Sequence, residues 1–173
     1  MIYEFTKKDG SGMFQKIYFV AQAVSSDKTK PALACILIND EHIVATDGCR
    51  LHLVNQPEYH PLEPGLYKVV KYTKTVIILN SVESDTLPDY PDYQKVLPVA
   101  EEMVVLDSPA SAAASLAQVI RSRSTGAFDF KFFSDAFTFS SVTYYKQAKG
   151  EYEPLLLANE DYSVMAVVMP MRT

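Results

Sequence analysis

Apolar residues recur along this chain in two rhythms, and the switches between them mark out its elements. Tyr3 to Thr6 read as a short strand, and KKDGSG after them is turn chemistry. Ser11 is placed to cap a helix, and Met13, Ile17, Val20, Ala21 and Val24 recur at helical spacing, which predicts a helix ending near Ser25. Ala32–Ile38, Ile43–Ala45 and Arg50–Val54 then read as strands, separated by NDEH and by the tight pair Asp47-Gly48. Residues 2–55 thus spell β-α-β-β-β. A proline-rich connection, QPEYHPLEPG, leads to Leu66–Val70 and Val76–Leu79, a hairpin joined through KYTK. SVESDTLPDYPDYQKVLP, acidic and tyrosine-rich with three prolines, reads as an ordered surface loop.

The pattern then starts again. Met103–Leu106 form a strand, and Ser108 caps a helix with Pro109 at its first position, where the missing N–H costs nothing. Ala113, Leu116, Ala117 and Ile120 give that helix one apolar face. Phe128, Phe130 and Phe132 alternate with Asp129 and Lys131, the period of a half-buried strand. A turn near Asp135 leads to Phe137 and Phe139 on a further strand running toward Tyr145, Leu155–Leu157 add a short one, and Val164–Met169 close the series. Proline cannot donate to a sheet ladder, so Pro170 stops the last strand at Met169. Residues 102–169 also spell β-α-β-β-β. The expected fold class is α+β: one domain, 1–173, of two pseudo-symmetric units with helices on one face of the sheets. Unit one covers about 1–57, a hairpin and loop insert about 58–100, and unit two about 101–173.

Composition narrows the function classes. Hydrophobic residues make up 48% of 173, enough to build a core, so disorder is not indicated. The longest apolar runs are too short to span a bilayer, and IYEFTKKDG after Met1 lacks the basic-then-apolar layout of a signal peptide. The expectation is a cytoplasmic protein without membrane association. Two cysteines, Cys35 and Cys49, make no disulfide or metal framework. The net charge of −5 argues against indiscriminate nucleic-acid binding by the whole surface. Yet none of the 21 acidic residues falls in Ser11–Ser26 or Ser108–Ser124. Those two helices carry Lys16, and Arg121 with Arg123, among short polar outward residues such as Gln15, Gln22, Ser111 and Gln118. Two readings stay open: faces kept free of carboxylates for a polyanion, or alanine- and serine-rich helices that simply hold few charges.

Catalytic patterns are missing. The sequence has no glycine-rich phosphate loop, and His42, His52 and His60 have neither metal-ligand spacing nor an obvious carboxylate partner. Cys49 stands beside Arg50 in a tight turn, but no base can be assigned to it, which ranks an enzyme acting through Cys49 below a binding protein. Asp47 reads as a turn residue that bonds its own backbone, and Gly48 as a position needing positive φ. No cofactor is expected.

Three segments, ATDGCRL (45–51), YPDYQKVLP (90–98) and VVMPMR (167–172), closely resemble motifs of the bacterial DNA polymerase III beta sliding clamp, in the same order. PALACILIND before the first is similar to the strand that precedes it in that family. The resemblance implies a non-catalytic processivity factor. Six such domains close a ring in the family, helices facing duplex DNA and sheets outside. Lys16, Gln15, Gln22, Arg121 and Arg123 would then contact phosphate without sequence preference. The same motifs build the family's pocket for short linear peptides of polymerases and other clients. Carried over by position, its wall here would be Leu33, Thr46, Gly48, Arg50, Leu51, Pro91, Lys95, Val96, Val167, Met169, Pro170, Met171 and Arg172. Methionine suits such a wall because it adapts to varied apolar partners, while arginine can bond a peptide backbone or an acidic group.

The chain departs from the family where Cys49 replaces a common histidine, where Thr173 replaces a terminal leucine, and in length. A typical clamp subunit has three domains and this chain has room for about one, so a ring would need several copies, a homo-oligomer. The alternative is a clamp-derived peptide-binding adaptor or regulator that does not encircle DNA.

Overall fold

The computed structural model describes residues 1–10, 12–57, 61–83, 89–97, 103–106, 128–139, 144–148 and 154–171, the segments at 103–106 and 144–148 by their backbone alone. The chain divides into two compact units, Met1–Pro91 and Asp92–Thr173.

In the first unit the strands are β1 (Ile2–Thr6), β2 (Cys35–Ile38), β3 (His42–Thr46), β4 (Arg50–Asn55), β5 (Gly65–Tyr72) and β6 (Val76–Val82). They lie in the order β1-β6-β5-β2-β3-β4, every neighbouring pair antiparallel. The β5–β6 hairpin, read in the sequence as part of an insert, therefore lies inside the sheet between β1 and β2. A register shift between Val69 and Lys71 bulges β5 near its far end. Helix α1 (Met13–Ala21) packs on this sheet through Met13, Phe14, Ile17, Phe19 and Val20, all buried. Phe5, Ile36, Ile43, Val54, Ile77 and Leu79 complete the core beneath it.

Two sequence expectations change here. The helix stops at Ala21 rather than Ser25: Ala23 N donates to Val20 O at 3.0 Å and Val24 N to Ala21 O at 3.3 Å, so the chain tightens into three-residue turns. Its N-cap is Gly12 at φ 73°, a left-handed position open to glycine, with no side-chain cap. Ser11, the expected cap, lies outside the described residues. Likewise the strand expected from Ala32 begins at Cys35, because Pro31 opens a short 3-10 turn over Pro31–Ala34.

In the second unit β7 (Met103–Leu106), β8 (Tyr144–Ala148), β9 (Leu155–Ala158) and β10 (Val164–Val168) lie in the order β10-β9-β8-β7, again antiparallel. The strand expected at Phe128–Phe132 is instead the start of helix α2 (Phe130–Ala136). Asp129 caps it by accepting from Lys131 N at 2.8 Å, and Phe133 and Ala136, three residues apart, are fully buried against β10. Phe130, which the strand reading buries, is 61% exposed. Phe137 ends the helix rather than starting a strand. The helix expected at Ser108–Ser124 lies outside the described residues. Among the described residues the first unit reads β-α-β-β-β-β-β in chain order, the hairpin adding two strands, and the second reads β-α-β-β-β with α2 as its helix, an α+β fold.

Candidate functional site

The ATDGCRL motif forms the β3–β4 hairpin, whose last pair is Thr46 with Leu51. Gly48 takes φ 91°, as the turn demands. Asp47 organises the loop: one carboxylate oxygen accepts from Cys49 N at 2.9 Å and Arg50 N at 3.0 Å. The other accepts from Arg50 Nε at 3.0 Å. Thr46 Oγ1 donates to Arg50 O at 2.6 Å and accepts from Gly48 N at 3.1 Å. Arg50 is only 6% exposed, and its Nη2 reaches back to donate to Gln22 O just beyond the end of α1. A buried guanidinium with a carboxylate and a helix-end carbonyl is a clasp between turn and helix. Two residues on, His52 repeats the arrangement. It is fully buried, its ring stacks on Phe19 at 4.3 Å, and its Nδ1 lies 2.7 Å from Phe19 O. A carbonyl only accepts, so Nδ1 carries the proton. His52 is thus a core histidine.

Of the other expected residues of the first unit, Leu33, Gly48 and Leu51 lie on the segments joined by this clasp. Leu33 is half-buried in the turn leading to β2, and its carbonyl accepts from Ser25 N at 2.8 Å, beyond the helix end that Arg50 grips. Leu51 is buried, Gly48 and Cys49 are exposed at the loop tip, and Pro91 is exposed at the end of the unit. Burial pushes the Cys35 thiol up, away from reactivity.

In the second unit Tyr93–Val96, from the middle of the YPDYQKVLP motif, form a short 3-10 turn anchored by buried Tyr93. Asp92 caps it through Gln94 N at 3.2 Å and pairs with Lys95 Nζ at 3.1 Å on an open surface. Val96 is exposed. At the end of β10, Val167 and Val168 are buried while Met169 and Met171 are 36% and 48% exposed on either side of half-buried Pro170. The expected apolar strand is present but ends at Val168, one residue short of the expected Met169. Arg172 lies outside the described residues.

Of the residues expected to meet DNA, Gln15 is exposed on α1. Lys16 is half-buried and donates through Nζ to Asn55 O at 3.3 Å, at the end of β4. Gln22 follows the helix and gives its carbonyl to Arg50. Arg121 and Arg123 lie outside the described residues. Sequence reasoning placed Arg50 on the pocket wall and missed its grip on α1. The missing signal was a long-range contact across 28 residues, which no local pattern encodes. Among the described residues no group of three or more His, Cys, Asp or Glu could hold a metal ion, and no helix is long and apolar enough to cross a membrane.

No family model matches the sequence, and no curated protein matches it. Solved structures do. The DNA polymerase III beta subunit of Thermotoga maritima superposes with a TM-score of 0.64 at 15% identity, covering 100% of this chain and 66% of that one. The beta subunit of Borrelia burgdorferi gives 0.65 at 15% identity, covering 99% and 64%. The C. crescentus beta sliding clamp gives 0.63 at 16%, covering 99% and 65%. The chain spans slightly less than two thirds of each clamp. At this identity the likeness establishes the fold: the chain is folded as the matching part of a bacterial sliding clamp.

Proposed function

We propose that this chain is a sliding-clamp-like, non-catalytic processivity factor, acting as one clamp-like domain over residues 1–173. It holds duplex DNA without sequence preference and tethers a polymerase or other client through a short linear peptide. The observation that supports this most is the match of the whole chain to sliding clamps, with the three motifs in clamp order. DNA is met by Gln15, Lys16 and Gln22, and by Arg121 and Arg123. The carboxylate-free stretches 11–26 and 108–124 leave phosphate unopposed there. The client peptide is met by Leu33, Thr46, Gly48, Arg50, Leu51, Pro91, Lys95, Val96, Val167, Met169, Pro170, Met171 and Arg172. Exposed Met169 and Met171 offer it soft, adaptable apolar contact. Arg50 acts in this reading by holding the Gly48-Cys49 tip in place. A homo-oligomer working in the cytoplasm belongs to the same reading.

Two variants test it. Lys16, Arg121 and Arg123 changed together to Ala flatten the salt dependence of duplex binding and leave client-peptide binding intact. Met171→Ala weakens a clamp-binding peptide by about 1–3 kcal/mol, measured by calorimetry. Unchanged peptide affinity refutes the pocket assignment. Peptide binding with no duplex affinity at low salt selects the adaptor reading instead.

A further inference from the structure

The β5–β6 hairpin is the part of the first unit that the proposed function leaves unused. Gly65–Val82 carries Lys68, Lys71 and Lys74 and no carboxylate, in a chain with net charge −5. Its turn is built rather than loose. Thr73 N donates to Val76 O at 3.0 Å, and Thr73 Oγ1 accepts from Val76 N at 2.9 Å, which puts Lys74 at the apex, exposed. Strand β1 ends beside this turn, since Thr6 pairs with Val76 and Lys7 N donates to Thr75 O at 3.0 Å. Lys7 and Lys8, both exposed, therefore leave the sheet next to Lys74. The nearest carboxylate in sequence, Asp9, is tied to Thr6 through both its backbone N–H and its hydroxyl, so three ammonium groups face one engaged carboxylate. Glu4 alternates with Phe5, which is buried beneath α1, and so projects from the opposite face of the sheet.

The hairpin end is also fixed to α1. Tyr72 stacks on Tyr18 at 4.8 Å, and its hydroxyl donates to Tyr18 O at 3.3 Å. The basic tip thus continues the side of the unit where α1 presents Gln15 and no acidic residue.

We propose that Lys7, Lys8 and Lys74 form a further contact for the phosphate backbone of duplex DNA, extending the α1 surface to the hairpin tip. This rests on the duplex-binding reading given above. Lysine is a compact, strongly hydrated point charge that attracts phosphate without reading bases, which suits a contact that must not fix the protein to one sequence.

The test is fluorescence anisotropy with a labelled duplex of about 30 base pairs, in two unrelated sequences, titrated from about 50 to about 200 mM salt. Lys7→Gln, Lys8→Gln and Lys74→Gln are combined in one variant, alongside the Lys→Arg version. The Gln variant is expected to lose affinity equally for both sequences, its log-log salt slope shallower by about two to three units. The Arg variant keeps the unmodified slope. An unmodified slope in the Gln variant overturns the tip contact and leaves the duplex-binding reading standing. No duplex affinity in the unmodified protein overturns both. Equal loss of slope in the Gln and Arg variants overturns the contact by showing a structural rather than an electrostatic role. Binding to vesicles of anionic phospholipid as tight as binding to duplex reassigns the lysines to a membrane surface.

Discussion

Asp47 and Gly48 show how much a single residue can announce. A short acceptor followed by a residue free of a Cβ says "turn" before any coordinates exist, and both do what their chemistry demands. Arg50 announces nothing of its partner. Its guanidinium finds a carboxylate three residues back and a carbonyl 28 residues back, and only the packing of α1 on β4 joins those positions. Asp47→Ala removes three accepted hydrogen bonds, two from backbone N–H groups and one from a buried guanidinium. It is expected to cost about 1.5–3 kcal/mol of stability in urea unfolding. A change below about 0.5 kcal/mol contradicts the clasp. His42 adds a pH dependence. Burial lowers its pKa below the ordinary imidazole value, with Glu41 opposing more weakly. The unfolded imidazole binds a proton near roughly 6.5 while the folded one resists until lower pH. Stability tied to His42 is therefore fully present above roughly 6.5 and falls as pH drops toward its folded value. Unfolding midpoints at pH 7.5 and 5.5 check this, and His42→Gln is expected to narrow their difference.

Among the elements, strands were easier to read than the helix of the second unit. β3, β9 and β10 are short, mostly apolar runs bounded by turn residues, β4 alternates through Leu51 and Leu53, and all four sit close to where those patterns put them. The phenylalanine run at 128–133 has two periods at once. Alternation favours a strand through Phe128, Phe130 and Phe132, whereas spacing by three favours a helix burying Phe133 and Ala136. The helix prevails because Asp129 caps it, Lys131 and Asp135 pair across one turn, and β10 receives Phe133. Phe133→Ala should cost about 3–5 kcal/mol, while Phe130→Ala changes stability by less than about 0.5 kcal/mol. Comparable losses from both, by denaturant unfolding, contradict the helix. The β5–β6 hairpin was legible as a hairpin, but its seat between β1 and β2 was not. Neighbour order in a sheet depends on which edges remain unpaired, information spread over the whole unit.

For the molecule as a whole, likeness to clamps in sequence is concentrated in three short motifs, while identity to solved clamps is 8–16% across the chain. Apolar pattern and turn chemistry survive such divergence because core positions tolerate exchange of one apolar residue for another. In the proposed reading, several copies join to surround a duplex. Light-scattering mass of the protein, alone and bound to a short duplex, tests this most directly. A defined multimer that persists on the duplex is the expected result. A mass of one chain under both conditions contradicts the clamp account.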